Sequence, residues 1–252
     1  MRAPLLALTF LVAASVAPAA AQSVSIDLGA AGGPGNTSRL VQLTALIGLL
    51  TLAPSLLVMA TAFARIVMVL SLLRSAIGAQ GIPPNPVMVG LALFLTFFVM
   101  QPTLERSWTE GLEPMMAGRM GEMDGLKAAA EPFRAFMQAQ AREADLSLFR
   151  DLAREPASEP AEGQAVAWRV LFPAFLVGEL KRAFEIGFLV FLPFLVIDMV
   201  VASLLMSLGM MMLPPNAVSL PMKLIFFVLV DGWRLTSSGL VQGFVEAAGG
   251  GG

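Results

Sequence analysis

The residues able to do chemistry in this sequence are few, and they stand in apolar surroundings. Arg65, Glu179, Asp198, Lys223 and Asp231 are charged side chains carried by long runs of Leu, Val, Ile, Phe, Ala and Met. An ionisable group at membrane depth is costly, so each is expected to face a partner, a cavity or an ion path. Two intramembrane aspartates could form a protease dyad or relay protons in a transporter. Neither Asp198 nor Asp231 stands in a Gly-x-Gly-Asp context, which leaves hydrogen bonding between helices or at helix ends as their plainer role. Glu179 and Lys223, opposite in sign and near the ends of neighbouring apolar segments, are expected to pair within or between subunits; Lys181 and Arg182 are local competitors for Glu179. With no Cys and no His, thiolate chemistry, disulfides, zinc sites and Ser-His or Cys-His catalysis are excluded. No catalytic residue, metal ligand or cofactor site is read from the sequence.

The element that must position these groups is the stretch from Ile186 to Pro215. At 1.5 Å per residue, the run from Ile186 to Leu213 would reach roughly 40 Å as a helix, more than the hydrocarbon thickness of a bilayer. It ends in Gly209, then Met210, Met211 and Met212, then Pro214 and Pro215. Neighbours on a helix project about 100° apart, so three consecutive methionines cannot share one packed stripe. Gly209, Pro214 and Pro215 act as hinges that interrupt the helix. Broken backbone at membrane depth is tolerated only inside protein or beside water, so Met210 to Met212 read as a soft loop facing a lumen. Met also fills gaps in cores, and this chain has 16 of them, so packing alone is the competing account.

Composition sets the class. The chain is 57% apolar and 13% charged, against about a quarter charged in soluble proteins. Between Thr103 and Trp168 lie 12 acids and 7 bases, so one polar module interrupts an apolar protein. Lys and Arg do not cluster into a nucleic-acid face.

In order, residues 1–21 have the pattern of a cleavable signal peptide, with an uncleaved anchor as the alternative. Residues 22–38 are Gly-rich and expected to be flexible. Residues 39–102 read as a first apolar helical hairpin, with a long first helix to Leu73, a tight loop at AQGIPPNP, and a second helix closed by Gln101-Pro102. Residues 103–168 are the polar helical module, with Phe133, Phe136, Met137, Ala144 and Leu148 on one face. Residues 169–247 form a second hairpin, its first segment broken by Glu179, Lys181, Arg182 and Glu185, and residues 248–252 a disordered tail. Four crossings are expected, with the polar module outside the cell membrane. Arg74 and Lys223 then fall inside.

Several motifs then coincide: TAFARIVMVLSLLRSAIGAQGIPPNPVMVGLALFLTFFVMQP from Thr61, READLSLF from Arg142, PAFLVGELKRAFEIGFLVFLPFLVIDMVVASLLMSLGMMMLPP from Pro173, and LPMKLIFFVLVDGW from Leu220. Together they resemble the FliP/SctR family of type III secretion export-gate subunits, and the signal and length favour the flagellar branch. The resemblance implies an all-α, membrane-associated chain of bent helical hairpins that assembles into a conical helical oligomer. It implies a homo-pentamer joined by the Q and R gate subunits and the B subunit of the same apparatus, in the bacterial inner membrane at the flagellar basal body. Unfolded flagellar subunits would be the cargo, with Met210, Met211 and Met212 as a gasket and Glu179 and Lys223 at inter-subunit contacts. A small-solute transporter is the second reading, since GIPPNP from Gly81 and MLPPNA from Met212 could be matched breaks of inverted repeats. A scaffold without a pore is the third.

Overall fold

The computed structural model describes residues 41–154 and 166–249, apart from positions 42, 46, 49, 50, 53, 54, 56, 57, 80 and 211. The expected signal peptide, flexible N-terminus and last three tail residues lie outside the described residues. The chain divides into two units, 1–51 and 52–252. Described positions from 41 to 51 are helical; everything below concerns the second unit.

Its described residues form helices and no strand. The helices are α1 (Phe63–Ile77), α2 (Asn85–Ser107), a π-turn (Trp108–Leu112), α3 (Glu113–Met116), α4 (Glu122–Gln140), α5 (Glu143–Leu152), α6 (Trp168–Ser207), α7 (Pro215–Leu229) and α8 (Gly232–Gly249). Helix-forming Leu, Ala and Met dominate them, and turn chemistry separates them. α1 ends where Gly78 adopts a left-handed φ of 78° and its N–H bonds the Arg74 carbonyl. Arg74 Nη1 then donates to Asn85 Oδ1 at 2.5 Å, tying the loop to the first turn of α2.

The long first helix expected up to Leu73 is interrupted at Ala60 to Ala62, and α1 restarts at Phe63. This 15-residue helix packs along α6 and α2, burying Ile66, Val69 and Leu70 against Ala92, Met100 and Ala183. α2 runs through Pro102 to Ser107, so the proline expected to close it sits inside it. The reason is tertiary: Ser107 Oγ donates to the Ala129 carbonyl at 2.7 Å, and Gly111 brings the following π-turn against the backbone of α4.

α6 corrects a second expectation. It is one helix of 40 residues, about 60 Å long, and Pro173, Glu179, Lys181, Arg182, Glu185 and Pro193 all lie within it. Its charges do not break it because Glu179 finds partners on other helices, while Lys181 and Glu185, both half exposed, face each other one turn apart at 3.9 Å. In the polar module the apolar face is also redistributed. The chain turns at Ala141 and Arg142 between α4 and α5; Met137 and Leu146 are buried, and Leu148 is exposed.

Two helical stretches, Asn85–Met116 and Trp168–Ser207, are long and apolar enough to cross a membrane. α7 and α8 pass the same test only as a pair bent by 62°. Among the described residues that makes two spans, or three with the bent pair, where four were expected. The bend falls at Asp231, whose φ is 53°, so the segment expected to continue through Asp231-Gly232-Trp233-Arg234 is kinked there. α8 then runs to Gly249, into the expected tail.

Candidate functional site

Four helices meet on one buried arginine. Arg65 of α1 is 1% exposed, and its Nε donates to Glu179 Oε2 of α6 at 2.7 Å while Nη2 donates to Glu179 Oε1. The fork of the guanidinium matches the two carboxylate oxygens, the strongest geometry available to an ion pair. Arg65 Nη2 also donates to Gln140 Oε1 of α4 at 3.0 Å, and that oxygen accepts Arg182 Nη1 at 2.9 Å. Gln140 Nε2 reaches on to the Phe244 carbonyl of α8 at 3.0 Å, and the Arg65 guanidinium lies 3.7 Å from the centroid of the Phe244 ring. Nearly every donor and acceptor in the cluster is spent inside it. Such a network holds its helices in one arrangement, because any member removed leaves a charge or amide buried and unpaired.

A second pair stands at the far end of α1. Lys223 Nζ of α7 is 2.6 Å from Asp198 Oδ2 of α6 and donates to the Ala76 carbonyl at 3.0 Å. Ala76 lies in the last turn of α1, where carbonyls lack helical partners and a cation is favourable. Asp198 Oδ1 is buried and without a hydrogen-bond partner.

These contacts replace the pairing expected inside one chain. Glu179 and Lys223 do not meet; Glu179 takes Arg65 and Lys223 takes Asp198. Arg65 is buried, Asp198 is half-buried, and Asp231 is exposed. Asp231 lies at the bend between α7 and α8. Gln140 and Phe244 escaped the sequence reading. A glutamine at the end of an amphipathic helix carries no signal of burial, and Phe244 is one of 17 phenylalanines.

The third feature is the corner between α6 and α7. α6 ends at Ser207, Gly209 takes a left-handed φ of 73°, and α7 starts with Pro214 as cap and Pro215 in its first turn. The Met210 N–H bonds the Leu205 carbonyl at 2.9 Å, and the Leu213 N–H bonds the Met210 carbonyl at 3.2 Å. Met210 and Leu213 are partly exposed, and Met212 is 98% exposed. Met211 lies outside the described residues.

The model of one protein family, described as the FliP family, matches residues 46–240. The chain belongs to the FliP family. Relatives named flagellar biosynthetic protein FliP are similar along most of their length. The one from Caulobacter vibrioides is 52% identical over 99% of this chain and 93% of its own. That of Pectobacterium carotovorum is 53% identical over 81% of this chain and 78% of its own. That of Bacillus subtilis is 45% identical over 87% of this chain and 98% of its own. The region matching the FliP family holds Arg65, Gln140, Glu179, Asp198, Lys223 and the whole methionine corner, while Phe244 falls just beyond it.

Proposed function

We propose that this FliP-family chain is a pore-forming subunit of the flagellar type III protein export gate, conducting unfolded flagellar subunits across the inner membrane. The observation that carries the reading is the α6–α7 corner, where Met212 is 98% exposed at a break between two apolar helices. A thioether so placed has no packing partner in its own chain, and broken backbone at membrane depth belongs inside protein or beside a water-filled passage.

Several copies, five in the assembly that the family resemblance implies, would gather their corners around one axis. Flexible apolar side chains there can dewet a constriction at rest and yield to a passing polypeptide. α6 supports such an assembly, since Phe184, Phe188, Leu192, Val196 and Val200 form an exposed stripe at four-residue spacing. Its partners would be further copies of the chain, the Q, R and B subunits of the apparatus, and lipid, with the polar module on the extracytoplasmic side of the basal body. The buried Arg65–Glu179 cluster and the Lys223–Asp198 pair would hold the two hairpins so that the corner is presented at a fixed angle. No chemical step is assigned to the chain, and the driving energy would come from its partners.

The deciding experiment replaces Met210, Met211 and Met212 together by Ala in cells that assemble the whole gate. Resting cells are expected to leak ions while the complex still assembles. Unchanged permeability in an assembled complex would overturn the gasket reading.

A further inference from the structure

A groove of about 1050 Å³ opens between the end of α2, the π-turn, α4 and the start of α6. Leu104, Leu112, Leu126, Ala130 and Phe172 make its apolar wall. Two of the three tryptophans of the chain, Trp108 and Trp168, line it as well. Trp108 lies near the end of one candidate span and Trp168 begins the other. Tryptophan concentrates at the headgroup level of a bilayer, so a groove at a membrane surface would carry such a pair.

The groove is built. A Cβ on Gly111 would come within 2.3 Å of the Ala129 backbone nitrogen, and one on Gly125 within 2.6 Å of Met115 Cβ, so glycine closes the π-turn and α3 down on α4. The π-turn gives Trp108 its place in the wall, and such single-turn π segments recur at functional sites.

Among the described residues no acid lines the groove, and Arg169 is the ionisable residue in its lining. The Arg134 guanidinium lies 4.7 Å from the Trp168 ring centroid; its buried Nε stands 3.5 Å from Glu131 Oε2, a loose ion pair in which Nε makes no hydrogen bond. The one hydroxyl in the lining, on Ser107, is committed to the Ala129 carbonyl, so the wall has little to offer the polar groups of a polypeptide.

We propose that this groove binds an anionic phospholipid, with acyl chain along the apolar wall between Trp108 and Trp168 and phosphate beside Arg134. The lipid would be a bound component that seats the polar module on the membrane surface, a role separate from conduction.

The chain's own tryptophans report on it. The full chain would be placed in phosphatidylcholine vesicles holding a minor fraction of phosphatidylglycerol, with bromine on the acyl chains of one lipid or the other. Trp233→Phe leaves only the groove tryptophans, whereas Trp108→Phe with Trp168→Phe leaves Trp233 outside it. The groove pair should be quenched by brominated phosphatidylglycerol well beyond its mole fraction, and Trp233 only in proportion. Arg134→Gln should lower the anionic preference roughly fivefold, the worth of one cation near a charged surface. Arg134→Lys should keep it, and Ala130→Phe should abolish it by filling the groove. Quenching of the groove pair in proportion to mole fraction for both lipids would remove the anionic site. No quenching would show protein covering the groove and would equally overturn the proposal.

Discussion

Arg65 and Glu179 stand 114 positions apart in sequence, yet Arg65 Nε donates to Glu179 Oε2 at 2.7 Å in a site that excludes water from both side chains. Burying two charges costs several kcal/mol each, and their attraction offsets it only when every remaining donor and acceptor is satisfied. Gln140, Arg182 and the α8 carbonyls provide that completion here.

Glu179→Leu alone strands Arg65 and should destabilise the chain by about 3–5 kcal/mol, whereas Arg65→Met with Glu179→Leu should recover most of that loss. Thermal unfolding of the detergent-solubilised chain checks it. Single variants that melt with the parent would show that the pair carries no weight.

Charge exchange separates the two ionic sites. Asp198→Lys with Lys223→Glu keeps opposite charges 2.6 Å apart and should retain assembly better than either single change. Glu179→Lys with Lys223→Glu should rescue nothing, because within the chain each residue faces a different partner. Recovery of the gate complex by the second swap would point instead to a contact between copies.

Lys223→Met should loosen the end of α1. It removes the donor to the Ala76 carbonyl and leaves Asp198 uncompensated, a loss of about 1–3 kcal/mol. Hydrogen exchange should rise around the last turn of α1 and at the methionine corner, while the Arg65 cluster keeps its protection.

Glycines of one type should answer differently. Gly111→Ala drives a Cβ into the Ala129 backbone, which cannot swing aside, and should cost about 3 kcal/mol or more. Gly239→Ala meets nothing within 4 Å on a helix and should stabilise by up to about 1 kcal/mol. Gly209→Val also meets no atom, but its φ of 73° makes the left-handed strain alone worth about 1–2 kcal/mol. Melting temperatures of the three variants test the order.

What the amino-acid sequence determined by itself was local or compositional. Apolar runs longer than a bilayer is thick dictate membrane helices, Gly209 with Pro214 and Pro215 dictates a break after Ser207, and the missing Cys and His close off whole classes of chemistry. Only the tertiary structure decided which charge meets which, that α6 carries Glu179, Lys181, Arg182 and Glu185 without breaking, and that α2 runs on through Pro102. The physical reason is that helix propensity and hydropathy act over a few residues, while the partner of a buried charge is chosen by whichever helix packing brings within 3 Å. Lys223 lies near the end of a neighbouring segment in the sequence, but it was Arg65, on the helix packed along α6, that reached Glu179.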